Sequence, residues 1–162
     1  MSKQLTAAEK MYFVDEISKL FHDLSEPFTP FTLLPQYVPI ERPLSPENKR
    51  ISLNALSRLR IIERKINALV ESYLERVDDQ VTQTLSQDLR NSFLLFYAAA
   101  DIFINENQPQ KTASRISDQI ISLMSEIKDT IEKKLGVKST HKADTVKTMK
   151  TATRRVITII KK

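Results

Sequence analysis

The sequence contains no cysteine, no tryptophan, one glycine and two histidines. Without cysteine there are no disulfides, thiolate metal sites or thiol nucleophiles, a pattern that fits an intracellular protein, cytoplasmic or nuclear, or one carried within a virion. A single glycine, Gly136, argues against tight hairpins and Gly-rich phosphate loops, which need residues tolerant of positive φ. Helix interiors need none, so the shortage points to an all-α chain. Long apolar runs are also missing. The most apolar stretch, Phe93 to Ile104, contains Asp101 and is too short to span a bilayer, so no transmembrane segment is expected. The opening residues, MSKQLTAAEK, lack the apolar stretch and cleavage site of a signal peptide.

What is present is the balance of a folded domain. The 162 residues are 41% hydrophobic and 28% charged, which suits one domain, residues 1–162, with a real core. Apolar residues recur at helical spacing. A first helix starts at Thr6, with Glu9 at capping-box distance, and carries Phe13, Ile17, Leu20, Phe21 and Leu24 before Pro27. A second has Ser45 as N-cap and Pro46 at its first position, with a stripe from Leu56 through Leu59, Ile62, Ile66, Leu69 and Tyr73 to Val77. Asp78-Asp79-Gln80 is a soft boundary, compatible with a break or a kink. A third helix covers about 81–105, and a fourth runs from near Pro109 to Leu135. Gly136 then stands at the left-handed C′ position.

Residues 25–46 hold six of the seven prolines. Proline fixes φ and removes a donor, so this segment reads as an extended proline-rich crossover lying on the bundle. Phe28, Phe31, Leu33 and Leu34 are too apolar for a solvated linker. In polyproline geometry it reaches about 60 Å, enough to run the whole bundle and leave the flanking helices parallel. The expected architecture is a bundle of four to five helices. P-x-x-P occurs at 27–30 and 43–46. Proline-dense segments give that match by chance, and both sites have a structural role.

The net charge of +5 is unevenly spread. Residues 137–162 carry eight Lys or Arg and one acid, Asp144. Residues 49–65 carry six cations against Glu63. Two basic stretches on an otherwise acidic body suggest a local anionic partner. Within 137–162, a helix over 141–161 places Val146, Met149, Thr153, Val156, Ile157 and Ile160 in an arc of about 100°, with Lys147, Lys150, Arg154 and Lys161 beside it. Two readings compete: a fifth bundle helix with charges facing water, or a cationic edge for nucleic-acid phosphate. A membrane surface or an acidic protein is a third option, weakened for the membrane by the absence of Trp and Phe from the tail. In the second stretch, Lys49 and Arg50 sit in a first helical turn, where the dipole disfavours cations. This suggests an outside anion or a neighbour such as Glu47.

No catalytic constellation stands out. His22 and His141 lack a second ligand at metal spacing. Asp101 falls on the polar side of its helix, solvated or paired with Arg90. No cofactor is implied and the chain reads as a non-enzyme. The leading function is nucleic-acid coating or nucleoprotein assembly without strong sequence specificity, with Lys147, Lys150, Arg154, Arg155 and Lys161 as phosphate ligands and Lys49 and Arg50 assisting. The alternative is a structural subunit or adaptor in a larger assembly, pairing with a protein partner or with itself through its long helices.

Overall fold

A computed structural model describes residues 4–37, 44–105 and 111–139. Among these residues the regular structure is entirely helical. α1 spans Ala7–Asp23, α2 Ser25–Tyr37, α3 Pro46–Arg76, α4 Gln80–Asn105 and α5 Lys111–Leu135. The capping box at Thr6 is present: its hydroxyl accepts from the Glu9 N–H while Glu9 accepts from the Thr6 N–H. Ser45 caps α3 by accepting from the Asn48 N–H at 3.1 Å, with Pro46 opening the helix. Gly136 follows α5 at φ 68° and ends it, its N–H and that of Val137 both reaching the Glu132 carbonyl.

The proline-rich segment departs from expectation. Residues 25–37 form a helix rather than an extended crossover, while 38–43 lie outside the described residues. The cost of proline inside a helix accounts for the break before Pro27, although α2 itself carries Pro30 and Pro35 within its length. A proline ring clashes with the carbonyl four residues back and removes that hydrogen bond. For Pro27 the carbonyl is that of Asp23, the last residue of α1, so the chain bends at Leu24 and α2 starts anew. Pro27 then occupies the first turn of α2, whose N–H groups have no intrahelical acceptor to lose. Hydroxyls supply bonds around the break: Ser25 donates to the His22 carbonyl at 3.0 Å, Thr29 to that of Ser25 at 2.8 Å and Thr32 to that of Thr29 at 2.9 Å.

Because only Leu24 separates them, α1 and α2 run as one bent arm. Glu9 of α1 pairs with Arg76 at the end of α3, and Glu26 of α2 pairs with Arg58, so the arm lies antiparallel to α3. The parallel arrangement that a bundle-length strap would have allowed is absent. α3 and α4 are joined by the short turn Val77–Asp79 and return on each other. Phe28 meets Phe93 and Phe96, while Phe31 meets Phe96 and Phe103, so α4 runs parallel to the bent arm across the core. α5 packs along α4 and against both α1 and α2, with the chain beyond it reaching Asp15 of α1. The result is an up-down-up-down arrangement of four arms.

The core follows the apolar stripes. Val14, Ile17, Phe31, Leu59, Ile66, Tyr73, Phe93, Phe96, Ile120, Met124 and Ile127 are all buried. On α5 Met124 is buried, while Leu123 beside it is only half-buried. The edge-to-face pairs of Phe96 with Phe28 and Phe31, each with ring centroids 5.1 Å apart, anchor the arm onto α4 with a geometry worth about 1 kcal/mol beyond area burial.

Candidate functional site

Lys147, Lys150, Arg154, Arg155 and Lys161, with the whole of the expected helix 141–161 and His141, lie outside the described residues. Lys49 and Arg50 are exposed in the first turn of α3, and Arg50 pairs with Glu47 one turn back. The other cations of 49–65 divide between two seams. Arg58 reaches Glu26 of α2 at 3.5 Å, and Lys65 lines a groove toward α1. Arg60 lies over the Tyr97 ring at 5.2 Å, on the α4 side. The stretch therefore forms no single stripe, and several of its charges hold one helix to another.

The densest polar cluster closes one end of the molecule, where α3 turns into α4. Asp79 takes the N-cap role for α4: its Oδ1 accepts from the Thr82 N–H at 3.0 Å, and its Oδ2 accepts from the Thr82 hydroxyl at 2.7 Å and the Tyr73 hydroxyl at 2.6 Å. All three residues are buried. Burial works against the Asp79 charge, but the bonds from Tyr73 and Thr82, with the Lys134 ammonium nearby, outweigh it and hold the carboxyl below its ordinary range. Burial and the same carboxylate push the Tyr73 hydroxyl the other way, so it stays protonated. Just outside, Arg76 donates to Glu9 at 2.7 Å. That bond, first of all, draws the Glu9 carboxyl down to about 2, assisted by the Thr6 backbone.

A second set lies along the α3–α4 seam. Tyr97 donates to Glu63 at 2.8 Å and Arg90 to Glu71 at 2.6 Å. Burial, and then the Glu63 carboxylate, raise the Tyr97 hydroxyl well above its usual range. Asp101 is exposed and accepts from Asn105, so Arg90 belongs to Glu71 instead. Glu9, Asp79, Glu63 and Glu71 are each committed to a neighbouring helix or turn. They act as clasps between helices.

His22 is half-buried, and its Nδ1 is enclosed without a hydrogen-bond partner. Among the described residues no group of His, Asp and Glu is placed to hold a metal ion, and no helix is long and apolar enough to cross a membrane. The described residues line surface hollows, of which two stand out. One, about 320 Å³, lies under the α3–α4 turn between Leu74 and Gln83. The other, about 350 Å³, is a groove between α1 and α3 lined by Tyr12, Glu16, Leu20, Lys65, Ala68, Leu69 and Ser72.

No protein family, curated protein or solved structure matches this chain.

The Tyr73–Asp79–Thr82 cluster is what sequence reading missed. Its signal was Asp-x-x-Thr at 79–82, the spacing at which an N-cap acid meets the third helical residue.

Proposed function

We propose that this protein binds and assembles with nucleic acid without catalysis, using its helical body as a scaffold and its basic C-terminal segment as the phosphate-contacting element. The segregation of charge carries this reading. Residues 137–162 hold eight cations and one acid in a chain whose total is only +5, so the remainder is slightly acidic. On the body, carboxylates are spent on the body's own cations, as in Glu9 with Arg76, Glu26 with Arg58 and Glu71 with Arg90. Lys147, Lys150, Arg154, Arg155 and Lys161 act as phosphate ligands, with Lys49 and Arg50 as auxiliary contacts. Backbone contacts of this kind fix position but do not read bases, so discrimination between sequences is weak.

Fluorescence anisotropy with a random-sequence oligonucleotide tests the reading. Each phosphate neutralised on a duplex adds about −0.9 to the slope of log K against log salt. Five contacts therefore give a slope near roughly −4.5. The double substitution Lys147→Glu with Arg154→Glu should abolish binding. A shallow slope, or undiminished affinity in that variant, refutes the proposal. One observation favours a second reading, assembly through helix pairing: α4 exposes the adjacent Leu94 and Leu95, 67% and 60% accessible. In that case salt has little effect, and truncating the tail changes oligomeric state instead.

A further inference from the structure

Residues 49–65 of α3 set six cations against one acid, Glu63. Two of the six are engaged inside the fold, Arg50 by Glu47 and Arg58 by Glu26. Lys49, Arg60, Arg64 and Lys65 are exposed, and among the described residues none of the four meets a carboxylate at ion-pair distance. Glu63 accepts from Tyr97, Glu71 from Arg90 and Asp101 from Asn105, so these acids of α3 and α4 are bonded elsewhere.

Setting the internal pairs aside leaves an ordered remainder. At 100° per residue, Lys49, Arg60 and Arg64 fall within an arc of about 60° on the side of α3 away from its buried stripe, while Lys65 lines the groove toward α1. The ridge from Lys49 to Arg64 is about 22 Å long, roughly six base steps of a duplex. Arg60 lies over the Tyr97 ring at 5.2 Å, which restricts its guanidinium and lowers the cost of fixing it on a ligand. Lys49 stands in the first helical turn, where the dipole disfavours a cation; an outside anion offsets that penalty. The exposed apolar residues here, Leu53 at 46% and Ile61 at 53%, lie two turns apart with Asn54 and Ser57 exposed between them. A partner helix needs an apolar contact every three or four residues. The ridge therefore suits phosphate oxygens better than the flank of an acidic helix.

We infer that Lys49, Arg60 and Arg64 form a phosphate track on the helical body, contacting the backbone of a nucleic-acid duplex. Arg60 and Arg64, one helical turn apart, each present a fork that can hold two phosphate oxygens, and Lys49 adds a point charge. The inference rests on the nucleic-acid reading and deepens it, because the body then shares the contact with the C-terminal segment. Residue spacing alone scatters the cations of 49–65 around α3. The pairing of Arg50 and Arg58 with acids decides which of them remain for a ligand.

Anisotropy titrations of the full chain against a random-sequence DNA duplex, repeated over a range of salt, test the inference. Three phosphate contacts contribute about −2.7 to the slope of log K against log salt. The triple variant Lys49→Gln, Arg60→Gln, Arg64→Gln should flatten the slope by about that amount and weaken binding at least about tenfold. A control triple, Lys19→Gln, Arg115→Gln, Lys133→Gln, removes the same charge from exposed positions off the ridge and should change the slope by less than about 1. Arg64→Gln alone should flatten it by about 1, which keeps the test readable if the ridge triple melts early. Equal flattening by the two triples overturns the inference, since net charge alone would then be at work. So does an unchanged slope in both the ridge triple and Arg64→Gln, or a ridge-dependent complex with polyglutamate and none with the duplex, which would assign the ridge to an acidic protein. If Lys147→Glu with Arg154→Glu abolishes binding while the ridge triple leaves it intact, the track falls and the proposed function stands. A parent chain that binds no duplex refutes both.

Discussion

Replacing Asp79 with alanine should destabilise the fold far more than its place in a three-residue turn suggests. The carboxylate caps α4 through the Thr82 N–H and also accepts from the buried hydroxyls of Tyr73 and Thr82. Loss of an N-cap costs about 1 kcal/mol. Tyr73 is fully buried, and leaving its hydroxyl without an acceptor costs about 1–3 kcal/mol. The Thr82 hydroxyl sits in a helix and can turn to a carbonyl of the preceding turn, so it adds little. The total is about 3 kcal/mol, or a fall in Tm of roughly 6–12 °C for a chain of this size. Urea titration followed by circular dichroism at 222 nm reads the change as a lower midpoint at unchanged slope. A double-mutant cycle makes the test sharper. Tyr73→Phe alone loses a bond to a charged group, about 1.5–3 kcal/mol. In the Asp79→Ala background it removes the orphaned hydroxyl, so it should cost nothing or restore stability. A loss under about 1 kcal/mol for Asp79→Ala, or the same Tyr73→Phe effect in both backgrounds, would show that the cluster does not hold the turn as described.

Two further outcomes follow from other parts of the fold. Gly136→Ala should cost about 1 kcal/mol, because φ is 68° and the added Cβ meets no atom within 4 Å; the loss is backbone strain alone, and thermal melting that shows no change would contradict it. The Glu9 carboxyl is held near 2 in the folded chain against an ordinary 4.5, so its contribution is present above pH 4.5 and is lost as pH falls from there toward 2. The urea midpoint should therefore drop across that window, and Glu9→Gln should flatten the drop; a parallel decline in both proteins would rule the clasp out as its source.

Much of the fold was legible in the sequence because helical periodicity and capping are local properties. Thr6 with Glu9, Ser45 with Pro46, and Gly136 each mark a boundary within a residue or two of where it occurs. The apolar stripe of α3 likewise shows in the core, with Leu59, Ile62, Ile66, Leu69 and Tyr73 buried and Leu56 and Val77 packed at its edge. Proline 27 was legible only in part. It does end a helix, but the helix that follows begins two residues before it, and Phe28 and Phe31 at i and i+3 were the sign of an inward face. Treating each proline as a helix breaker overlooked that a first turn tolerates it and that threonine hydroxyls engage nearby carbonyls. The antiparallel course of the arm depends on pairs such as Glu9 with Arg76, 67 residues apart. No local pattern encodes such a pair. The clasp at Asp79 was half visible, since its capping partner is three residues away, whereas the role of Tyr73 depends on the turn that brings it back.

The order of the arms has a kinetic consequence. Each arm lies beside the one that follows it in the chain, so three of the four seams close between neighbours across short connections. Among the described residues, only the seam of α5 with α1 and α2 joins elements far apart in the chain. Loop-closure entropy grows with the intervening length, and topologies rich in nearby pairings reach the native state quickly, within microseconds to milliseconds for helical domains. The α1–α5 seam carries the largest closure entropy, which suits it to zip last, and the Ser139–Asp15 bond then latches a structure whose other interfaces have already formed.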